Sequence, residues 1–208
     1  RPLMYLQGPM GLNMDQSRPR VGIAAWEWGP YLGREAAEKG AHMMVSSFTR
    51  LHPNINMTKS KVVGNYVNSM LVKTLAIRSG YDEAVILDPQ GYVAECTGEN
   101  IFMVRKGVLY TPPLATVLEG LTRDSVITFA SDAGMRVEEK LFTRDQLYIA
   151  DEVFITGTAA EMVGIVKVDH RIVKDGQIGP VTRSLAQTFA ETVHGTGKRS
   201  AAWLDYLE

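Results

Sequence analysis

The stretch AVILDPQGYVAECTGENIFMVRKGVLY, residues 84–110, decides the fold. Its apolar run 84–87 meets Asp88-Pro89-Gln90-Gly91, which is typical of a type I turn, and the chain returns as a second strand over 92–95. Two more strand-like runs, 101–104 and 108–110, flank Arg105-Lys106-Gly107. Two hairpins in succession predict an antiparallel portion of sheet.

The segments on either side of this stretch mix helical and strand-like patterns. The spacing of apolar residues predicts helices at 30–38, 65–79, 121–132, 143–150 and 182–193, the fourth opened by a capping box at Thr143. It also predicts strands at 3–6, 41–48, 153–156, 164–168 and 171–173, and a long loop at 8–20. Because helices and strands do not alternate regularly, the expected fold class is mixed α/β and not a doubly wound sheet.

The composition excludes several classes of protein. The chain has 208 residues, 45% of them hydrophobic, which is enough to bury the core of one large domain. A net charge of −1 gives no basic field for nucleic acid. The apolar runs are far shorter than the ~20 residues of a membrane helix, and the first residues lack a secretory pattern. Cys96 is the single cysteine, so we expect no internal disulfide and a reducing, intracellular compartment.

Metal and serine chemistry have little support in the sequence. The four histidines are scattered without metal-ligand spacing, and only one cysteine is available, so no metal site is expected. The Gly-x-Ser-x-Gly elbow of serine hydrolases does not occur. Dinucleotide-binding glycine fingerprints and Walker loops do not occur either.

Three features carry candidate chemistry, each with an ordinary alternative. Lys61 stands where an extended segment enters a helix; a lysine in an apolar setting forms Schiff bases, whereas most lysines are simply solvated. Glu95 ends a strand, where a carboxylate either approaches a cationic ring nitrogen or remains a surface group. Gly120-Leu121-Thr122 and Gly157-Thr158 place threonines beside free amides that would bind phosphate, although N-capping explains either threonine as well.

Taken in order, these features resemble the signature segments of the class IV aminotransferases, and specifically of the branched-chain amino acid aminotransferases. The resemblance runs from Arg1 to the C-terminus, and several long motifs in register make it specific. It is carried by Lys61-Val62-Val63-Gly64-Asn65-Tyr66, Glu95-Cys96-Thr97-Gly98-Glu99-Asn100-Ile101-Phe102, Gly120-Leu121-Thr122-Arg123-Asp124, Gly157-Thr158-Ala159-Ala160-Glu161, Gly179-Pro180-Val181-Thr182 and Trp203-Leu204-Asp205.

The resemblance implies the D-amino-acid-aminotransferase-like fold of the fold type IV pyridoxal-phosphate enzymes, with a hairpin-rich, barrel-like sheet and surrounding helices. Residues 1–27 would be an interdomain linker and first strand region, and residues 28–208 the large pyridoxal-phosphate-binding domain. The family's small N-terminal domain, with an arginine that helps to hold the cofactor phosphate, would be absent from this chain. The activity of the chain by itself is therefore left open.

The resemblance also implies that the cofactor is pyridoxal 5′-phosphate and assigns the residues that hold it. Lys61 would form the aldimine and then act as the general acid–base. Glu95 would keep the pyridine nitrogen protonated, and Tyr66 would bond the phenolic oxygen. Leu118 would pack on the ring face, and the phosphate would be held by Leu121, Thr122 and Thr158.

For the substrate, the resemblance implies amino transfer between leucine, isoleucine or valine and 2-oxoglutarate, giving branched-chain 2-oxo acids and L-glutamate. The amides of Thr158 and Ala159 would receive the α-carboxylate. Arg1 would receive the distal carboxylate of glutamate, and Trp28 and Tyr31 would line the apolar pocket. The loop 9–13 would complete the pocket of a neighbouring subunit, so we expect a cytoplasmic homodimer or higher homo-oligomer.

Two kinds of alternative remain open at this point. Within the same fold, the chain would be a D-amino-acid aminotransferase or an aminodeoxychorismate lyase, although Tyr66, Gly98-Glu99-Asn100 and Gly157-Thr158-Ala159-Ala160 favour the branched-chain type. From a different class, it would be an inactive domain that folds without retaining cofactor. A substrate panel separates the first group, and the visible colour of the purified protein separates the second.

Overall fold

The structure, a computed structural model, describes residues 1–206, which form eleven strands and six α-helices. The strands are β1 (Pro2–Gln7), β2 (Arg18–Ile23), β3 (Ala41–Thr49), β4 (Glu83–Leu87), β5 (Val93–Cys96), β6 (Asn100–Arg105), β7 (Val108–Thr111), β8 (Arg136–Glu139), β9 (Glu152–Gly157), β10 (Glu161–Val168) and β11 (Arg171–Ile172). The helices are α1 (Arg34–Lys39), α2 (Tyr66–Arg78), α3 (Leu121–Asp132), α4 (Arg144–Tyr148), α5 (Pro180–Val193) and α6 (Ser200–Trp203).

Nine of the strands form one mixed sheet, which confirms the mixed α/β class. Their order is β5-β4-β3-β10-β9-β6-β7-β8, and β11 pairs with β10. The two hairpins predicted in residues 84–110 are present as the antiparallel pairs β4–β5 and β6–β7. The neighbours β3–β4 and β7–β8 are parallel, and the crossovers that they require contain α2 and α3.

The connection between β5 and β6 forces this sheet to curl. These strands are five places apart in the strand order, a distance of roughly 24 Å in a flat sheet at the usual strand spacing. Only residues 97–99 join them, and a chain of that length reaches about 14 Å from Cys96 to Asn100. The backbone amide of Cys96 also donates to the carbonyl of Glu99 at 2.8 Å, which closes the connection tightly. The sheet therefore bends round until its two distant strands meet, giving the barrel-like form expected.

The curled sheet is buried on both faces. Along β6, Ile101 and Met103 belong to the apolar cluster on one face, and Phe102 and Val104 belong to the cluster on the other. Phe102 stacks on Phe154 of β9 with ring centroids 5.0 Å apart, beneath α3 and α5. Because alternate residues of a strand face opposite ways, a strand that is covered on both sides has a continuous apolar sequence.

Helix α5 is anchored by a buried carboxylate at its first turn. Glu152 of β9 accepts hydrogen bonds from the amides of Val181 (3.0 Å) and Thr182 (2.8 Å) and from the Thr182 hydroxyl (2.8 Å). A Cβ at residue 179 would lie 2.0 Å from the Glu152 carboxyl carbon, so Gly179 is required by this close approach. The carboxylate satisfies amides that the helix cannot, and it ties α5 to the sheet.

The N-terminal region differs from the sequence prediction. The predicted loop at 8–20 is wrong in part, because β2 begins at Arg18 and pairs antiparallel with β1 as a separate two-stranded sheet. The strand β2 was not predicted because it contains a proline and two arginines. Both faces of the hairpin lie at the surface, so apolar and polar residues do not alternate along it. Large apolar side chains remain exposed here: Leu3, Met4, Tyr5, Leu6, Met10, Leu12, Met14, Val21 and Ile23.

Other boundaries shift for local reasons. The helix predicted at 30–38 begins only at Arg34, because Gly33 adopts a positive φ of 84° that interrupts the helical turn. The strand β8 and the short helix α6 were not predicted; β8 is polar, and α6 has four residues. The capping box at Thr143 is present, with the Thr143 amide 3.1 Å from Gln146 Oε1. Within residues 1–206, no helix combines the length and apolar character needed to cross a membrane.

Candidate active site

Lys61 lies at the end of an irregular segment that leads into α2. Asn65 fixes the segment, because its side-chain amide donates to the carbonyls of Met57 (3.2 Å) and Ser60 (3.3 Å). The Lys61 side chain is exposed, and its Nζ is 6.0 Å from the centroid of the Tyr66 ring. The lysine therefore stands beside the tyrosine in an open setting, and not in the enclosed apolar one considered from the sequence.

Glu95 is buried at the end of β5, in the strand that the tight connection curls inward. Its Oε1 is 2.6 Å from the Arg50 guanidinium, and its Oε2 accepts from the Leu118 amide at 3.0 Å. Burial raises the pKa of Glu95, and the charge of Arg50 opposes that shift. The short ion pair and the amide bond both favour the charged form, so we assign Glu95 as an ionised carboxylate.

One cavity brings these groups together. Lys61, Tyr66, Glu95 and Leu118, four of the predicted cofactor-binding residues, all line it. Leu118 is held over β6 because its carbonyl accepts from the Asn100 side chain at 2.9 Å. An amine, a phenol and a carboxylate from three separate segments thus face one space.

The remaining predicted cofactor residues gather at the start of α3. Leu121, Thr122 and Thr158 line a second depression, where the loop after β9 meets the first turn of this helix. The first amides of a helix have no acceptor within it, and the helix dipole adds positive potential there. A Cβ on Gly120 would lie 2.1 Å from Asn100 Oδ1, so the glycine allows the helix start to approach β6. The free amides and the two threonine hydroxyls could bind an anion, so we call this depression the anion cradle, although the carboxylate of Glu161 also lines it.

Three of the predicted substrate residues form a row: Arg1 directly before the β1–β2 hairpin, and Trp28 and Tyr31 after it. The Arg1 guanidinium lies 6.0 Å from the centroid of the Trp28 ring, and Trp28 meets Tyr31 edge-on at 5.9 Å. Burial, followed by the charges of Glu99 and Glu83, raises the pKa of Tyr31 to about 12. Ala159 is exposed beside Thr158. The structure thus brings Arg1, Trp28 and Tyr31 together, with Ala159 on the loop of the anion cradle.

Two buried residues of the site were missed by the sequence reasoning. Arg50 follows β3 and pairs with Glu95, and Glu99 lines the same cavity as Lys61. A charged residue directly after a buried strand was the only signal for Arg50, and many surface residues share it. Glu99 was visible inside the Gly98-Glu99-Asn100 run, which was used to recognise the family but was given no role.

The buried ion pair generates a prediction about stability. In Arg50→Gln, Glu95 loses its counter-charge, and removing one partner of a buried pair costs roughly 3–5 kcal/mol. A buried carboxyl with a raised pKa destabilises the fold increasingly as pH rises from its unfolded pKa towards its folded one. The loss in free energy of unfolding should therefore be larger at about pH 8 than near the unfolded Glu value of about 4.3.

Urea denaturation of both proteins at the two pH values measures this effect. Lys39→Gln, which breaks the exposed pair with Glu35 on α1, is the matched control and should change stability by less than about 0.5 kcal/mol. A loss in Arg50→Gln that is independent of pH would show that Glu95 is not charged in the folded protein.

Comparison with known proteins shows the family to which the chain belongs. A sequence model of the family described as "Amino-transferase class IV" matches residues 4–168. The branched-chain-amino-acid aminotransferase of Pseudomonas aeruginosa is 47% identical to the chain over 204 residues, which are 98% of this chain and 66% of that protein. The chain thus spans about two thirds of the length of this relative.

Solved structures agree over the whole chain. A branched-chain amino acid aminotransferase of the source abbreviated T.th., solved with pyridoxamine 5′-phosphate, is 47% identical with a TM-score of 0.94, covering 100% of this chain and 68% of that one. The branched-chain amino acid aminotransferase of Escherichia coli is 43% identical with a TM-score of 0.96, covering 100% of this chain and 69% of that one. The segments that carry Lys61 and Glu95 therefore lie in a region that is similar in sequence and structure to these aminotransferases.

Proposed function

The chain belongs to the class IV aminotransferases, and within them to the branched-chain-amino-acid aminotransferases, and we propose that it transfers amino groups between branched-chain L-amino acids and 2-oxoglutarate with pyridoxal 5′-phosphate. The products are branched-chain 2-oxo acids and L-glutamate. The observation that carries the proposal is the convergence of Lys61, Tyr66 and Glu95 on one cavity. The alternatives within the same fold are not favoured, because relatives at 43–47% identity over nearly the whole chain are branched-chain enzymes.

The residues present fit this cofactor group by group. Lys61 offers the amine that an aldehyde requires, and Tyr66 offers a phenol for the phenolic oxygen. Glu95 offers a carboxylate to a ring N–H; because Arg50 and the Leu118 amide favour its charge, it suits a protonated nitrogen. The phosphate fits the cradle at the start of α3, where Leu121, Thr122 and Thr158 would hold it while Leu118 covers the ring.

When bound, the cofactor supplies an electron-withdrawing ring that stabilises the charge left on the substrate's Cα after deprotonation. Lys61 would accept this proton at its Nζ, and its ammonium group would then act as the acid that gives the proton back. Its open position leaves the amine room to move between these tasks. Glu95 holds a proton on the ring nitrogen through its carboxylate, so its loss should slow the proton transfer more than it weakens cofactor binding. Positioned proton transfer contributes roughly 10²–10⁴-fold in rate.

We propose that the row of Arg1, Trp28 and Tyr31 selects the substrate. Trp28 and Tyr31 give apolar ring surface for a branched side chain, and the amides of Thr158 and Ala159 receive the α-carboxylate. Arg1 lies at the far end of the row, where its guanidinium would pair with the second carboxylate of glutamate. One pocket thereby accepts both an apolar and a charged side chain without burying an unpaired charge.

We further propose that residues 28–208 are the cofactor-binding domain and that residues 1–27 link it to a small domain of the complete protein. The single cysteine, Cys96, is buried and unpaired, which supports a cytoplasmic location. In this arrangement the complete protein, and not the chain by itself, provides the full set of phosphate and pocket contacts.

The absorption spectrum tests the function directly. Pyridoxal phosphate added to the complete protein should give a visible band that L-leucine bleaches, and Lys61→Ala should show neither the band nor the bleaching. The matched control is Lys59→Ala, because Lys59 is two residues away but is paired with Glu119 at 2.8 Å. A band that survives in Lys61→Ala, or bleaching by D-alanine in place of L-leucine, contradicts the proposal.

A second copy of the chain is proposed to cover the apolar hairpin. Leu12 and Met10 stand fully exposed at its tip, in the loop 9–13, and monomeric proteins rarely expose such a contiguous patch. We expect the chain to sediment as a homodimer, and Leu12→Glu to raise the dimer dissociation constant at least tenfold by burying a charge. Glu38→Gln on the exposed face of α1 is the control and should not change it. A monomer at every concentration tested contradicts this proposal.

A further inference from the structure

Tyr31 lies in a segment that the backbone alone does not hold in place. Residues 24–33, between β2 and α1, form neither a helix nor a strand. Among the residues that the structure describes, the backbone of 25–32 takes part in one hydrogen bond, in which the Gly33 amide donates to the carbonyl of Pro30 at 2.9 Å. This bond closes a local turn and does not tie the segment to the sheet. The position of the half-buried Tyr31 therefore depends on its side-chain contacts.

The hydroxyl of Tyr31 contacts the connection between β5 and β6. It is hydrogen-bonded to the side chain of Thr97, the first residue of that connection. A Cβ placed on Gly98, the next residue, would lie 3.5 Å from Tyr31 Oη, which is ordinary van der Waals contact. Thr97 and Gly98 also line the cavity of Lys61. The polar end of Tyr31 thus meets the edge of the candidate active site.

A buried ion pair fixes the groups that contact Tyr31. Thr97 is only 5% exposed, and its amide donates to Glu83 Oε1 at 3.4 Å. The other carboxyl oxygen of Glu83, a fully buried residue of β4, is 2.7 Å from Lys73 Nζ. Lys73 also donates to the carbonyl of Asp82 at 2.6 Å, and its Nζ lies 5.5 Å from the centroid of the Tyr31 ring, within the range of a cation–π contact. One carboxylate therefore holds both the residue that bonds the phenol and the cation beside the ring.

These contacts decide which part of Tyr31 is left for a substrate. Because the phenol is engaged by Thr97, the polar end of the side chain is directed to the sheet. The carbon atoms of the ring remain, and they favour an apolar side chain. A phenol released from Thr97 would place an unpaired hydroxyl in the apolar pocket, and the irregular segment would be free to shift.

We propose that Thr97 is a positioning residue that sets the specificity of the substrate pocket: its hydroxyl holds the Tyr31 phenol against the β5–β6 connection, so that the ring presents an apolar wall to a branched side chain. This rests on the proposed function, which places Tyr31 in the substrate pocket. Lys73 and Glu83 act through Thr97 and Tyr31, because they fix the groups that make this contact.

The first test compares two substrates in the complete, cofactor-loaded protein. Thr97→Val keeps the shape of the side chain and loses the hydroxyl. The value of kcat/KM for L-leucine should fall by about threefold to tenfold, mainly through KM, which is the order of the contribution of one hydrogen bond. The value for L-alanine should be nearly unchanged, because its single methyl group has no branched end to pack on the wall. The ratio of the two values is the readout.

Two further variants separate this role from a general effect on stability. Thr97→Ser keeps the hydroxyl and should restore the ratio. Thr111→Val is the matched structural control, since Thr111 is fully buried in β7 and its hydroxyl donates to the carbonyl of Ile101 at 2.9 Å. It should lower the free energy of unfolding without changing the ratio. An equal ratio in Thr97→Val and the unsubstituted protein would overturn the proposal.

The partner of the hydrogen bond gives an independent test. Tyr31→Phe removes the phenol, so Thr97→Val should have no further effect on the ratio when it is introduced into Tyr31→Phe. If the effect of Thr97→Val is as large in Tyr31→Phe as in the unsubstituted protein, the two groups act separately and the proposal is wrong.

A third readout needs neither cofactor nor substrate. Carbon-13 NMR of protein labelled at the tyrosine Cζ reports the surroundings of each phenol, and Tyr31→Phe assigns the Tyr31 signal. This signal should move in Thr97→Val, return in Thr97→Ser and stay in place in Thr111→Val. A Tyr31 signal that does not move in Thr97→Val would show that the hydrogen bond is absent, which contradicts the proposal.

Bleaching by L-leucine distinguishes a failure of this inference from a failure of the proposed function. If L-leucine does not bleach the cofactor band of the unsubstituted complete protein, the proposed function fails and the role of Thr97 in specificity fails with it. Normal bleaching, together with an unchanged ratio in Thr97→Val, removes the role of Thr97 alone.

Discussion

The three residues between β5 and β6 are the constraint on which the rest of the structure depends. Because 97–99 cannot reach across a flat sheet, the sheet curls, and strands that are far apart in its order meet at their ends. The same connection places Glu95 immediately before the bend and Glu99 at its end. The irregular segment before α2 and the first residue of that helix bring Lys61 and Tyr66 to the space that the bend encloses.

Enclosure has an electrostatic consequence that shapes the site. Carboxyl groups carried inward by the bend lose water, and each is stable only with a cation, an amide or a proton. Glu83 has Lys73, and Glu95 has Arg50 and the Leu118 amide. Glu99 has one amide and an unpartnered oxygen. The three carboxyl groups lie in one cluster but are therefore suited to different tasks: Glu83 stabilises the fold through its ion pair, and Glu95 suits a cationic ring nitrogen.

Much of this arrangement was predictable from the sequence, because local signals and the global fold agree. Turn residues at 88–91 and 105–107 predicted both hairpins, and the glycines after α2 and α3 predicted the ends of these helices. The order of the sheet could not be read in this way, since pairing of β3 with β10 joins segments more than a hundred residues apart. Lys61 and Glu95 were candidates from the sequence itself and the resemblance gave them roles, but Arg50 was missed because its role depends on a neighbour that only folding brings near.

The most direct test of the central claim is to map the amine that holds the cofactor. Reduction with sodium borohydride fixes pyridoxal phosphate covalently to that amine, and peptide mass spectrometry then identifies the modified residue. We predict a single modified site at Lys61, with Glu95→Gln modified at the same position. Modification of Lys59 or Lys73 in place of Lys61 would show that the cavity between Tyr66 and Glu95 is not the cofactor site.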